Sequence, residues 1–326
     1  MKIDIATHIV PPRLLKAAPE LSMGGVSSAQ MPVLVDLDAR FRVMEAYPDV
    51  IQLLSVTNCM EGMGPPEVVY RLAGIANDEM AELVARYPDK FAAAIAIIPL
   101  TDVERALDEI DRAIGELGCK GIMVNATAQR PLDRPEFMAV YERMARYDLP
   151  ICIHPMGDLT QPDYPGESES MYRIWALWGW PYQTTLAMTR LIFSGVFDRF
   201  PDIKFVTHHA GAMVPFNEQR IHNFYDPAVA RGDPSMASLK RHPVEYFRLF
   251  YNDTANAGDS SGLMCAYEFF DADHLLFGTD LPWGMPLGHG DDLLQNTIKY
   301  LEELDISPGD KEKIFAGNAR RLFHLP

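Results

Sequence analysis

The sequence predicts an α/β fold, specifically a closed (β/α)8 TIM barrel. Short apolar runs alternate with amphipathic helical patterns along almost the whole chain, and eight such runs are present. Eight parallel strands separated by helices suit a closed barrel better than an open doubly wound sheet. No Gly-x-Gly-x-x-Gly follows any run, which leaves a dinucleotide-binding fold without support.

The strand candidates are 2–9, 51–57, 91–98, 119–124, 150–154, 203–208, 248–253 and 274–279. Most are continuous apolar runs rather than alternations, as parallel strands covered on both faces require. In 102–117, Val103, Leu107, Ile110, Ile114 and Leu117 recur at helical spacing; Asp102 is placed to cap that helix and Gly118 to end it. The segment 67–87 carries Val69, Leu72, Ala76, Met80, Leu83 and Tyr87 on one face and stops at Pro88. The segment 134–148 opens with Pro135 and presents Phe137, Val140, Tyr141 and Met144 inward. Further helices fit 173–199, 258–270, 290–304 and 308–323.

With no Pro/Gly/Ser-rich linker or repeat, the expectation is one domain over 1–326. Two long loops, 10–35 and 156–172, follow the first and fifth strands, on the face where such loops build or cover a site.

Hydrophobic residues at 48% and charged residues at 23% describe a soluble globular chain with a large core. A net charge of −16 with no basic patch argues against nucleic acid or an anionic membrane as partner. Cys59, Cys119, Cys152 and Cys265 lack paired spacing and are expected to be reduced. Met1-Lys2-Ile3-Asp4 lacks the apolar core of a signal peptide, and no run approaches the ~18 apolar residues of a membrane span, so the expected location is the cytoplasm.

Barrel enzymes carry their chemistry at the carboxyl ends of strands. His8 ends the first run, His154 the fifth, His208 and His209 the sixth, and Asp280 follows the eighth, so four of nine histidines share one face. Imidazoles with a carboxylate suit a borderline divalent ion such as zinc, with an open position for water or substrate. Each residue taken singly has a plainer use: a strand-end histidine as a hydrogen-bonding group, Asp280 as the organiser of a turn before Pro282. Strand alternation turns only one of His208 and His209 inward. His222, His242, His274, His289 and His324 lack such placement and are assigned no chemistry. Trp175, Trp178 and Trp180, just beyond the 156–172 loop, are placed either in the core or to stack on a planar acid.

The segments MKIDIATHIVP, DLDARFRVMEAY, ICIHPMG, GVFDRFPDIKFVTHHAGAMVPFNEQRI, FGTDLPW and AGNARRLF together make the chain resemble the amidohydrolase-related family typified by aminocarboxymuconate semialdehyde decarboxylase and the hydroxybenzoate (resorcylate-type) decarboxylases. The resemblance runs over essentially the whole length. It implies one divalent metal, zinc before manganese or iron, held by His8, His154 and Asp280. It further implies that Asp280 and His209 are catalytic and that Arg220 grips a substrate carboxylate in a neighbouring subunit of a homodimer or larger assembly. The family's first strand ends in His-x-His; here Ala6-Thr7-His8 lacks the first ligand, since a methyl cannot coordinate. The family's other substrate arginine has no clear counterpart, and Arg40 and Arg42 are expected to pair with acidic neighbours.

The implied activity is non-oxidative decarboxylation of a small aromatic or muconate-like acid, with Trp178 and Trp180 stacking on it. The same four residues also serve a hydrolase of a cyclic amide, lactone or C–C bond, in which Asp280 takes a proton from water. Ala6 motivates a third reading, a divergent subunit with an incomplete metal site.

Overall fold

In the computed structural model, eight parallel strands occupy the predicted positions. They are β1 (Lys2–His8), β2 (Val50–Ser55), β3 (Phe91–Ala94, resuming as Ala96–Ile97), β4 (Ile122–Asn125), β5 (Ile151–His154), β6 (Phe205–Thr207), β7 (Tyr251–Asp253) and β8 (Leu275–Leu276). The described residues are all but 24, 25, 28, 29, 58, 59, 127–129, 157–159, 161, 235, 237, 238, 257, 285 and 287; of 22, 23 and 26 only the backbone is described. Cys59 and parts of both long loops therefore lie outside the described residues.

Each strand pairs in parallel with its neighbour in sequence. At β3 the chain passes from one partner to the next: the Ile95 amide donates to Leu54 and the Ala96 amide to Gly121. The ring closes between β8 and β1, where the Ile5 amide donates to Phe277 (3.0 Å), Asp280 to Ala6 (2.9 Å) and His8 to Leu281 (2.7 Å). Closure removes both sheet edges, so no ladder group is left to pair elsewhere. β8 is the shortest relative to its apolar run, because Phe277–Leu281 bond to β1 without forming a regular ladder.

The longer helices, one after each strand, are α1 (Leu37–Glu45), α2 (Pro66–Arg86), α3 (Val103–Gly115), α4 (Met138–Tyr147), α5 (Trp180–Phe193), α6 (Glu218–Ala230), α7 (Ser260–Phe270) and α8 (Asp291–Glu303). The Asp102 carboxylate accepts the Arg105 amide as the α3 cap, and Gly118 takes φ +74° beyond its end. On α2 the predicted stripe of Val69, Leu72, Ala76, Met80 and Leu83 is buried. The run 173–199 is not one helix: it opens with a π-turn (Trp175–Gly179) and breaks at Gly195, φ +75°. Periodicity did not reveal α6, because Ala228 is its only fully buried residue and Pro227 lies inside it. Among the described residues no helix is long and apolar enough to cross a membrane. Cys119 and Cys152 are buried free thiols, and burial pushes Cys119 up to about 12.

Two of the buried ionisable side chains, Arg40 and Asp4, brace the first strand. Arg40 was expected to meet acidic neighbours; instead it is fully buried, donating to Gln52 Oε1 (2.7 Å), Val33 O (3.3 Å) and the carbonyl of His8. It therefore holds the last turn of β1 in place. Burial draws its guanidinium down to about 10, and the charge of Asp4 resists that. Asp4 is itself fully buried and accepts from the amides of Ala6 (3.2 Å) and Thr279 (3.1 Å) and from Thr279 Oγ1 (2.6 Å). Burial lifts its carboxyl to about 7 against the pull of those bonds.

Arg40→Ala should lower stability by about 3–5 kcal/mol, since it leaves three buried acceptors without their charged donor and opens a cavity. Arg42→Ala, on the exposed side of the same helix, should change it by less than ~0.5 kcal/mol. Urea unfolding followed by circular dichroism measures both; equal midpoints would contradict the role given to Arg40.

Candidate active site

The strand ends deliver six polar side chains to one mouth of the barrel. His8 closes β1, His154 closes β5, and Asp253 closes β7; His208 and His209 follow β6, and Asp280 follows β8. The seam between β8 and β1 brings His8 Nε2 to 2.9 Å from Asp280 Oδ1, across 272 residues of sequence. Ser55, at the end of β2, contacts His8 Nδ1 at 3.0 Å and fixes the other edge of the ring. His154 lies edge-on to His8 with ring centres 5.2 Å apart, and its Nδ1 is buried with no hydrogen-bond partner. The backbone of Asp280 also makes the turn foreseen for it, accepting the Trp283 amide.

Alternation was expected to turn only one of His208 and His209 inward, and here the structure departs from that expectation. The strand ends at Thr207, and His209, Ala210, Gly211 and Ala212 all have positive φ (62°, 54°, 74° and 57°). A left-handed run does not alternate, so both rings reach the mouth. His208 is buried, 4.7 Å from His154 between ring centres. His209 faces a cavity, its Nε2 3.7 Å from Asp280 Oδ2 and its ring parallel to Trp180 at 6.2 Å. The turn is pinned by Asp253, whose Oδ1 accepts the amides of His209 (2.9 Å) and Ala255 (3.0 Å). Neither Asp253 nor His208's inward placement was read from the sequence; an acidic residue ending the seventh run was the available signal.

Electrostatics sort these groups. Burial opposes charge on His8, and it draws His154 well below the usual imidazole range, helped by the neighbouring histidines. Burial also opposes protonation of His209, but its contact with the Asp280 carboxylate outweighs this and raises it. For Asp280 burial alone would raise the carboxyl; the contacts with His209 and His8 win and hold it well below the usual carboxylate range.

The cavity measures about 350 Å³ and is walled by Trp180, Trp283, Pro181, Ala255 and Asn256, with His209, Thr279 and Asp280 reaching it from the barrel. That volume accommodates a single-ring acid. Trp180 lines this cavity; Trp178 does not and is 63% exposed. Residues two apart on a helical turn face opposite ways, so Ala176 and Trp180 line the cavity and Trp178 points from it. Arg220 is exposed on α6, with its guanidinium 4.7 Å from the centre of the Phe224 ring, and does not line this chain's own cavity.

One ligand atom from each of His8, His154 and Asp280 lies within 4.8 Å of the others. Two imidazoles and a carboxylate gathered this closely, with one imidazole nitrogen buried and unpartnered, fit a divalent ion. A second group, His222, Asp226 and His242, is committed elsewhere: His242 Nδ1 accepts the Val244 amide as a helix cap while its Nε2 meets Asp226 at 3.0 Å.

The family model described as an amidohydrolase matches residues 3–325. The chain belongs to this amidohydrolase family. It is 29% identical to the gamma-resorcylate decarboxylase of Rhizobium radiobacter over 99% of this chain and 98% of that one. It is 28% identical to the 2-amino-3-carboxymuconate-6-semialdehyde decarboxylase of Dictyostelium discoideum over 100% and 92%. A solved dihydroxybenzoic acid decarboxylase from Polaromonas sp. JS666, with bound manganese and the inhibitor 2-nitroresorcinol, superposes with a TM-score of 0.78 at 27% identity, covering 99% of this chain and 96% of that one. The (β/α)8 barrel expected from the sequence is thus the architecture of its family.

Gly211 permits the left-handed turn: a Cβ there would stand 2.3 Å from Cε2 of Phe270, itself 1% exposed. Gly211→Ala should cost about 2–4 kcal/mol, from a strained φ plus overpacking. A thermal-shift midpoint unchanged from wild type would show that this turn is not held as described.

Proposed function

We propose that this amidohydrolase-family protein is a metal-dependent, non-oxidative carboxy-lyase acting on a small aromatic carboxylic acid. The observation that carries the reading is the junction of two features. A ring-sized cavity walled by Trp180 and Trp283 opens directly onto Asp280, which also belongs to the His8–His154–Asp280 group. The decarboxylase names of its relatives agree with it.

A divalent ion bound by His8, His154 and Asp280 supplies charge stabilisation for the substrate carboxylate and an adjacent hydroxyl or keto oxygen. Zinc is the first choice for an imidazole-rich donor set, with manganese its rival. Trp180 and Trp283 hold the ring and exclude water. Asp280 and His209, 3.7 Å apart on the cavity floor, pass one proton between them. As the bond to the carboxylate breaks, its electron pair stays on the ring carbon, that carbon takes the proton, and carbon dioxide leaves.

The protein is proposed to work as a homodimer or larger assembly. Leu177, Trp178 and Tyr182 near the start of α5, and Phe216 and Phe224 at α6, are large apolar side chains more than half exposed. Exposure of this kind on neighbouring elements marks an interface. Arg220 lies among them, so in an assembly it is the candidate to reach a neighbouring cavity and grip a carboxylate.

Purified protein should contain about one divalent ion per chain by elemental analysis and release carbon dioxide from one or more of a panel of hydroxybenzoates. Asp280→Asn and His209→Asn should each lower the rate by ~10²–10⁴. Metal-loaded protein that releases no carbon dioxide but hydrolyses a lactone or cyclic amide would replace this reading with the hydrolytic one. Trp180→Ala should weaken binding of the acid, whereas Trp178→Ala should shift the sedimentation profile toward monomer.

A further inference from the structure

The ring of His8 is held on the edge that faces away from Asp280, and that hold determines which of its nitrogens is free. We propose that Ser55 is a positioning residue for the metal site: it accepts the Nδ1–H of His8, commits the ring to one tautomer and leaves Nε2 as the ligand atom. The inference rests on the proposed divalent ion and deepens it by naming the side chain that prepares His8 to bind.

The register of the first two strands brings the pair together. β1 and β2 run in step from Lys2 opposite Val50 to Asp4 opposite Gln52, but Thr7 lies opposite Leu54 and His8 opposite Ser55. Between Asp4 and Thr7, β1 therefore uses one residue more than β2, which is a bulge. In an unbroken register Thr7 would face Ser55, and His8 would face Val56. Asp4 Oδ1 holds the bulge by accepting the Ala6 amide at 3.2 Å. The extra residue sets His8 beside Ser55 with both side chains on one face of the sheet.

Counting hydrogens then gives the tautomer. Both residues are fully buried. Ser55 Oγ lies 3.0 Å from His8 Nδ1 and 3.0 Å from the Thr7 carbonyl oxygen. A hydroxyl has one hydrogen and a carbonyl has none, so the Ser55 hydrogen goes to Thr7 O and its lone pairs are left for His8. A neutral imidazole also has one hydrogen, which then sits on Nδ1. The opposite assignment would leave Ser55 Oγ and the Thr7 carbonyl facing each other with no hydrogen between them. It would also place the ring hydrogen on the nitrogen that meets Asp280.

With Nδ1–H on Ser55, Nε2 and Asp280 Oδ1 face each other as two acceptors 2.9 Å apart. A cation reconciles them: the divalent ion, or a proton where the ion is absent. Two atoms each roughly 2 Å from one ion stand roughly 3 Å apart near a right angle, so the spacing suits a shared ion. The hold on His8 is itself braced, because Thr7 Oγ1 donates to the Leu53 carbonyl at 2.6 Å while Ser55 donates to Thr7. An acceptor behind a metal-bound histidine fixes both its tautomer and its orientation, and here a hydroxyl fills that place.

Neutron diffraction from crystals of the zinc-loaded chain should show the His8 ring hydrogen on Nδ1, directed at Ser55 Oγ, and the Ser55 hydrogen on Thr7 O. Zinc on Nδ1, or a Ser55 hydrogen directed at His8, would overturn the assignment. Chelator competition should show zinc affinity reduced ~10–100-fold in Ser55→Ala and largely recovered in Ser55→Thr, which keeps the hydroxyl. Wild-type affinity in Ser55→Ala, or equal losses in both variants, would also overturn it. The diffraction result needs no variant, so it stands even where a variant fails to fold. Failure of the chain to take up any divalent ion would remove the proposed function together with this inference, whereas zinc held with His8 turned would remove only the inference.

Discussion

The hydrogen-bonded seam between β8 and β1 is the constraint on which the rest depends. Three backbone bonds close the cylinder there, and the one from Asp280 to Ala6 sets the carboxylate beside His8. Asp4 reinforces the seam through Thr279, and Arg40 holds the carbonyl of His8 from the other side. The ends of the chain thus supply both the closure of the fold and two of the three members of the His8–His154–Asp280 group. Destabilising the seam would open the barrel and separate the ligands in one event, so stability and metal binding are linked through the same bonds.

A second device serves the sixth strand. Left-handed backbone costs roughly 1–2 kcal/mol for each residue other than glycine, and three such residues surround Gly211. Asp253 offsets that cost by accepting two backbone amides, a favourable use of a buried carboxylate. The result is that consecutive residues do different jobs. His208 turns down toward His154, and His209 turns out toward the cavity and Trp180. Strain at this turn is what separates a buried histidine from one that faces the cavity.

The contrast explains which parts were legible in the sequence. Eight apolar runs gave eight strands in order, because burial on both faces writes itself into composition. His8, His154 and Asp280 were legible for a related reason: strand ends are fixed once strands are. His208 was not, since alternation applies only while a strand continues, and the chain leaves the strand one residue earlier. Arg40 was misjudged because an arginine in a helix is normally solvated, and nothing local signals that this one is buried against Gln52 and main-chain carbonyls. Trp178 was placed with Trp180 by proximity in sequence, which a helical turn converts into opposite directions. Each miss came from a long-range contact or a local break in regular geometry.

The charge inside the cavity also limits how a carboxylate can be bound. None of its described lining residues is lysine or arginine, and Asp280 contributes a negative charge. An anionic acid entering such a space in a chain of net charge −16 would meet repulsion, not attraction. Within the described lining only His209, raised by its contact with Asp280, can carry positive charge, and that charge is matched by Asp280 itself. Two further sources are consistent with the geometry: an ion at the His8–His154–Asp280 group, below the cavity, and the exposed guanidinium of Arg220 donated across an interface. An assembly in which neither was present would leave the Trp180–Trp283 slot able to hold a neutral ring but not its carboxylate.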